Sequence, residues 1–112
     1  MSSEFNLLTE LHDKTLVLKT DGYINNSAGE KIVQEFTNHF SDAMNKVVID
    51  MAKSKVINSI GISYLLEVVE KLNDKNGKLI FINLDPTVEK TFKIMGLFQF
   101  AEKADSLDSA LK

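Results

Sequence analysis

Ser59 lies in the run Ile57-Asn58-Ser59-Ile60-Gly61, where a continuously apolar stretch gives way to a segment with helical periodicity. A hydroxyl at such a join could be a catalytic nucleophile, a phosphoacceptor, or part of a helix N-cap with Asn58, because Asn and Ser satisfy the free N–H groups of a helix start. Local sequence favours the cap. A nucleophilic serine needs a base within hydrogen-bond reach, and the chain has two imidazoles, His12 and His39. The first falls in an expected hairpin loop and the second late in an expected surface helix, so hydrolase chemistry is not anticipated.

Asp50 follows the apolar run Val47-Val48-Ile49, the kind of position at which response-regulator receivers are phosphorylated. A receiver also holds Mg²⁺ with further carboxylates after its first strand, whereas the matching segment here offers Asp21 followed by Asn25 and Asn26. Asp50 therefore reads as a strand-end or turn carboxylate. Gly22, Gly61, Gly77 and Gly96 match neither the Walker pattern nor Gly-x-Gly-x-x-Gly and read as turns and caps. The two histidines lack metal-ligand spacing, and the absence of cysteine removes disulfides, thiol nucleophiles and thiolate metal sites. No cofactor or metal is expected.

The elements that must position these groups can be read from periodicity. Phe5 to Leu11 and Thr15 to Thr20 are short β-like runs separated by His12-Asp13-Lys14, an antiparallel hairpin. Ile32, Val33, Phe36 and Phe40 form a helical stripe with Asn26 or Ser27 available as cap. Val47 to Ile49 suits a central strand covered on both faces and ending at Asp50. Ile62, Leu65, Leu66, Val69 and Leu72 mark the clearest helix, stopped at Asn76-Gly77, and Leu79 to Ile82 returns as a strand. That is a βαβ unit with parallel strands.

Asp85-Pro86 opens a short helix carrying Val88, Phe92 and Met95 before Gly96, and Leu97-Phe98-Gln99-Phe100 is expected to form an edge strand. Met95, Leu97, Phe98 and Phe100 make a concentrated apolar cluster, expected chiefly in the core with a partner surface as the alternative. Ser106 to Leu111 suits a terminal helix with a serine cap.

With 112 residues, 44% of them hydrophobic and 26% charged, the chain has the size and balance of one globular domain. A net charge of −3 with scattered Lys and Arg gives no footprint for nucleic acid or an anionic membrane surface. Met1-Ser2-Ser3-Glu4-Phe5 lacks the basic and apolar regions of a secretory signal, and no apolar run is long enough to span a bilayer. A cytoplasmic location is expected, with neither membrane nor nucleic acid as partner.

Taken in order, Val48-Ile49-Asp50, Ile57-Asn58-Ser59-Ile60-Gly61-Ile62, Asp85-Pro86 and Phe92-Lys93-Ile94-Met95-Gly96-Leu97-Phe98 resemble the STAS domain of bacterial anti-sigma-factor antagonists. Asp21-Gly22-Tyr23-Ile24-Asn25 is similar to that family's Gly-Glu-Leu-Asp turn after the second strand. The resemblance implies a single α/β STAS domain over residues 1–112: a mixed four- to five-stranded sheet with about four helices mainly on one face. It implies a non-enzymatic partner switch that binds a serine kinase doubling as an anti-sigma factor, with a serine phosphatase as a further partner. Phosphorylation would release the partner, and the acceptor maps to Ser59. Asn25, Asn58, Ser59, Ile60, Gly61 and Ser63 would border the docking surface. The alternative is a constitutive interaction scaffold that phosphorylation does not regulate.

Three positions depart from the family's pattern. Asn58 stands for the aspartate of its Asp-Ser-Ser-Gly or Asp-Ser-Thr-Gly tetrad, Ile60 for the second serine or threonine, and Asn25 for the aspartate of the second-strand turn. Two carboxylates are thus replaced by amides. That change removes negative charge beside an incoming phosphate and also removes contacts by which a kinase could orient the serine.

Overall fold

A computed structural model describes residues 5–41 and 43–112. Met1 to Glu4, expected to carry no secretory signal, lie outside the described residues. The chain opens with the expected hairpin, β1 (Asn6–His12) against β2 (Thr15–Asp21), in unbroken antiparallel register from Asn6↔Asp21 to His12↔Thr15. Its turn is Asp13-Lys14, with Asp13 in the left-handed region at φ 57, which the short Asp side chain tolerates. His12 consequently ends a strand instead of lying in a loop.

Then follow α1 (Asn26–His39), β3 (Lys46–Lys53), α2 (Ser59–Asn73), β4 (Lys78–Ile82), α3 (Pro86–Ile94), β5 (Glu102–Ala104) and α4 (Leu107–Leu111). The five strands lie in chain order, β1 antiparallel to β2 and the rest parallel. The expected βαβ unit is therefore β3–α2–β4. On one face Leu16, Leu18, Val47, Ile49, Leu79 and Phe81 meet Ile32 and Phe36 of α1, Leu65 and Leu72 of α2, and Phe92 of α3. The other face buries Val17, Val48, Ile80 and Ile82 against Ala110 of α4. Coverage on both faces explains why the central strands are apolar without alternation. Each large side chain so buried contributes about 1.5–3 kcal/mol.

Four further expectations are corrected. The cap of α1 is Asn25, whose side chain accepts from Ala28 N at 3.1 Å, because the helix begins one residue before Ser27, at Asn26. The third strand runs past Asp50 to Lys53, held by pairing of Asp21 with Lys53. Asp50 thus stands within a strand, its carboxylate accepting from Ala52 N and Asn83 Nδ2, each at 3.0 Å. Met95 is the C-cap residue of α3 and half exposed, so it does not continue the buried Val88–Phe92 face.

The fourth concerns Leu97 to Phe100. Gly96, at φ 76, turns the chain, and Leu97–Gln99 form a 3₁₀ turn in which Leu97 O accepts from the N–H groups of Phe100 and Ala101. A strand cannot form over residues so curled, and the edge strand lies further on, at Glu102–Ala104. The apolar cluster divides accordingly. Leu97 is fully buried and Phe98 packs edge-on to Phe81 and Phe92, while Phe100 is 56% exposed. The terminal helix with its Ser106 cap agrees with expectation.

Candidate functional site

Two strand-to-helix junctions stand side by side at the carboxyl ends of β2 and β3. In the first, Tyr23-Ile24-Asn25 leads into α1; in the second, Val56-Ile57-Asn58 leads into α2. A short parallel bridge pairs Ile24 with Ile57. Ile24 N donates to Val56 O at 3.0 Å, and Asn58 N donates to Ile24 O at 3.2 Å. Each asparagine then caps its helix, Asn25 through Ala28 N and Asn58 through Gly61 N at 2.8 Å. An asparagine cap of this kind is worth about 1 kcal/mol.

Gly61 is what lets the second helix close on the first junction. A Cβ there would lie 2.4 Å from Ile24 O, a separation that a side chain does not survive. Gly61 is buried, so it seats the helix and presents no surface. Deeper support comes from Ser54, fully buried, whose hydroxyl lies 2.7 Å from that of Thr20, and from Gly22 N donating to Lys53 O at 2.9 Å. These bonds fix the path by which the chain leaves β3.

Ser59 follows the cap as the first residue of α2 and is exposed. Among the described residues no hydrogen bond engages its hydroxyl. Asn58 therefore carries the cap alone, and Ser59 is spare. Next to it Ile60 is 50% exposed, while Tyr23 and Val56, the residues preceding the bridged isoleucines, are 45% and 58% exposed. Ser63 is also exposed, its hydroxyl donating to Ile60 O at 2.6 Å. Asn25 and Asn58 are half-buried. The surface around the free hydroxyl is thus apolar at its rim and amide-lined at its centre.

Neither helix carries an acidic residue in its first turn. Positive partial charge at two adjacent helix starts is accordingly not offset by local carboxylates. The imidazoles lie at the other end of the fold. His12 pairs with Thr15, a seven-residue strand away from Asp21, which is about 20 Å. His39 ends the 14-residue α1, a rise of about 20 Å from its cap. Each contacts a glutamate, Glu10 and Glu35 respectively, at 3.0 and 3.1 Å. Ser59 has no histidine base. Among the described residues there is also no group of three His, Asp or Glu able to hold a metal ion, and no helix long and apolar enough to cross a membrane.

Sequence reasoning missed Tyr23, Ile24, Val56 and Tyr64. Tyr64 of α2 lies over Gly29 of α1, where a Cβ would fall 2.3 Å from its ring, and its hydroxyl donates to Asn26 Oδ1 at 2.9 Å. No local pattern announces that contact. The others had a signal, since an exposed residue, isoleucine and asparagine occur in the same order before both helices.

Comparison with known proteins agrees with this architecture. BtrV of Bordetella bronchiseptica, whose name places it provisionally among anti-sigma factor antagonists, is 26% identical over 98 residues, covering 88% of this chain and 84% of the relative. The anti-sigma factor antagonist SpoIIAA in its unphosphorylated form superposes with a TM-score of 0.74 at 21% identity, covering 96% of this chain and 94% of that one. The phosphorylated form of SpoIIAA, titled a Bacillus cell fate determinant, gives 0.75 at 22% identity over 95% and 96%. Those likenesses show a shared fold. The STAS domain model matches residues 6–110, and with nearly the whole described chain inside that match, this protein belongs to the STAS domain family.

Proposed function

We propose that this chain is a partner-switching regulator, which docks a serine kinase acting as an anti-sigma factor and is released when that kinase phosphorylates Ser59. The observation that carries the reading is the exposed, unengaged hydroxyl of Ser59 at the first position of α2, set between two amide-capped helix starts. With no imidazole near it, this serine suits the role of acceptor and not of nucleophile. BtrV and SpoIIAA support the reading through their names, and SpoIIAA through the existence of its phosphorylated form.

The partner surface in this proposal is Asn25, Asn58, Ser59, Ile60 and Ser63, seated by Gly61 and extended by Tyr23 and Val56. A phosphate brings about −1.5 to −2 charges, which N–H groups and dipole at a helix start can accommodate without disturbing the fold. The same charge inside an apolar-rimmed contact opposes docking through desolvation. Catalysis is no part of this function, and a serine phosphatase would restore the docking form.

The test is incubation with the cognate kinase and ATP, read by intact mass. One added phosphate is expected on the parent chain and none on Ser59→Ala. Absence of phosphate, or its persistence on Ser59→Ala, overturns the switch. Partner titration separates the constitutive scaffold: Ser59→Asp is expected to weaken binding at least about tenfold, or 1.4 kcal/mol, relative to Ser59→Ala. Equal affinities would identify a scaffold instead.

A further inference from the structure

The two edges of the sheet are β1 and β5. β5 is three residues long and its exposed Glu102 and Lys103 are engaged by Lys78 and Glu89. It is a short, charged edge, the usual way in which sheets discourage further pairing. β1 is longer and less charged, with Glu10 and His12 confined to its C-terminal half. It runs seven residues in unbroken register with β2, contains neither lysine nor proline, and exposes Leu8 at 58% and Leu11 at 61%.

We propose that β1 is a docking edge for a second copy of this chain, the two strands pairing antiparallel about a two-fold axis through Leu8. In that register Leu8 faces the partner's Leu8, Phe5 faces the partner's Leu11, Leu7 the partner's Thr9, and Asn6 the partner's Glu10. Paired positions share a face because they differ by an even number of residues. Leucines exposed in the single chain find apolar partners, and Glu10 meets an amide. The neighbouring registers are poorer. An axis through Glu10 opposes two carboxylates, and one through Thr9 sets Leu8 against Glu10. Hydrogen bonding from His12 and Lys19 holds Glu10 below the usual carboxylate range, so it is ionised and like-charge opposition matters. The pairing uses no residue of the Ser59 face, so the dimer carries two such faces.

Sedimentation velocity on the full chain, from about 10 μM to about 0.5 mM, is expected to show a monomer–dimer equilibrium. Leu8→Lys and Leu8→Glu place like charges opposite each other at the axis, and each alone is expected to weaken association at least about tenfold with an unchanged circular dichroism spectrum. Mixing the two variants pairs opposite charges and is expected to restore the dimer. Met95→Lys, on a different exposed patch, should dimerise like the parent. The proposal is overturned by a parent chain that stays monomeric, by a Leu8→Lys variant that associates normally, or by folded variants whose mixture remains monomeric.

Discussion

The junctions before α1 and α2 share a backbone plan, and they differ most tellingly in how the first helical residue is engaged. Both present an exposed residue, a bridged isoleucine and a capping asparagine. At the next position α1 has Asn26, whose side chain is occupied by the Tyr64 hydroxyl, whereas α2 has Ser59, whose hydroxyl makes no hydrogen bond among the described residues. One junction is closed by a tertiary bond and the other is left open. A purely structural pair would be finished alike on both sides, so the open hydroxyl is the part that stability does not require.

That contrast can be broken most severely at Gly61. Gly61→Ala forces a Cβ against Ile24 O and is expected to cost about 3 kcal/mol, measured by urea denaturation, because backbone on both sides resists movement. It also separates the junctions, so partner affinity should fall with stability. A smaller effect tests their equivalence: Asn25→Ala and Asn58→Ala should each lose about 1 kcal/mol, and markedly unequal losses would show that the caps are not comparable. The smallest effects sharpen the difference. Tyr64→Phe should destabilise by about 1 kcal/mol through its lost hydrogen bond, while Ser59→Ala should stay within about 0.5 kcal/mol.

Much of this was legible in the sequence because local and tertiary signals agreed. Asp85-Pro86 announced a capped helix and produced one, with Asp85 accepting from Thr87 N at 3.0 Å. The β3–α2–β4 unit followed from continuous apolar runs around a clean helical stripe. Where reading failed, tertiary pairing had overridden local pattern. Glu102-Lys103-Ala104 has no strand alternation and is a strand through its register with Ile80 to Ile82. Leu97 to Phe100 had the composition of a strand, but Gly96 had already turned the chain. The α1 cap was misplaced because three capping residues, Asn25, Asn26 and Ser27, stand in succession and composition cannot rank them. At the site, the serine was legible and its lack of a bond was not, since a free hydroxyl is a property of what surrounds it.

The bridge between Ile24 and Ile57 also constrains how the proposed switch would act. Two helix starts tied by backbone bonds on both sides move together or not at all, so no hinge is available beside Ser59. Modification there would be broadcast as altered surface chemistry on an unchanged shape, detectable by a partner at contact range and silent everywhere else. Amide exchange at Ile24 and Asn58 would gauge this directly, remaining slow in both forms if the information is written in charge and not in conformation.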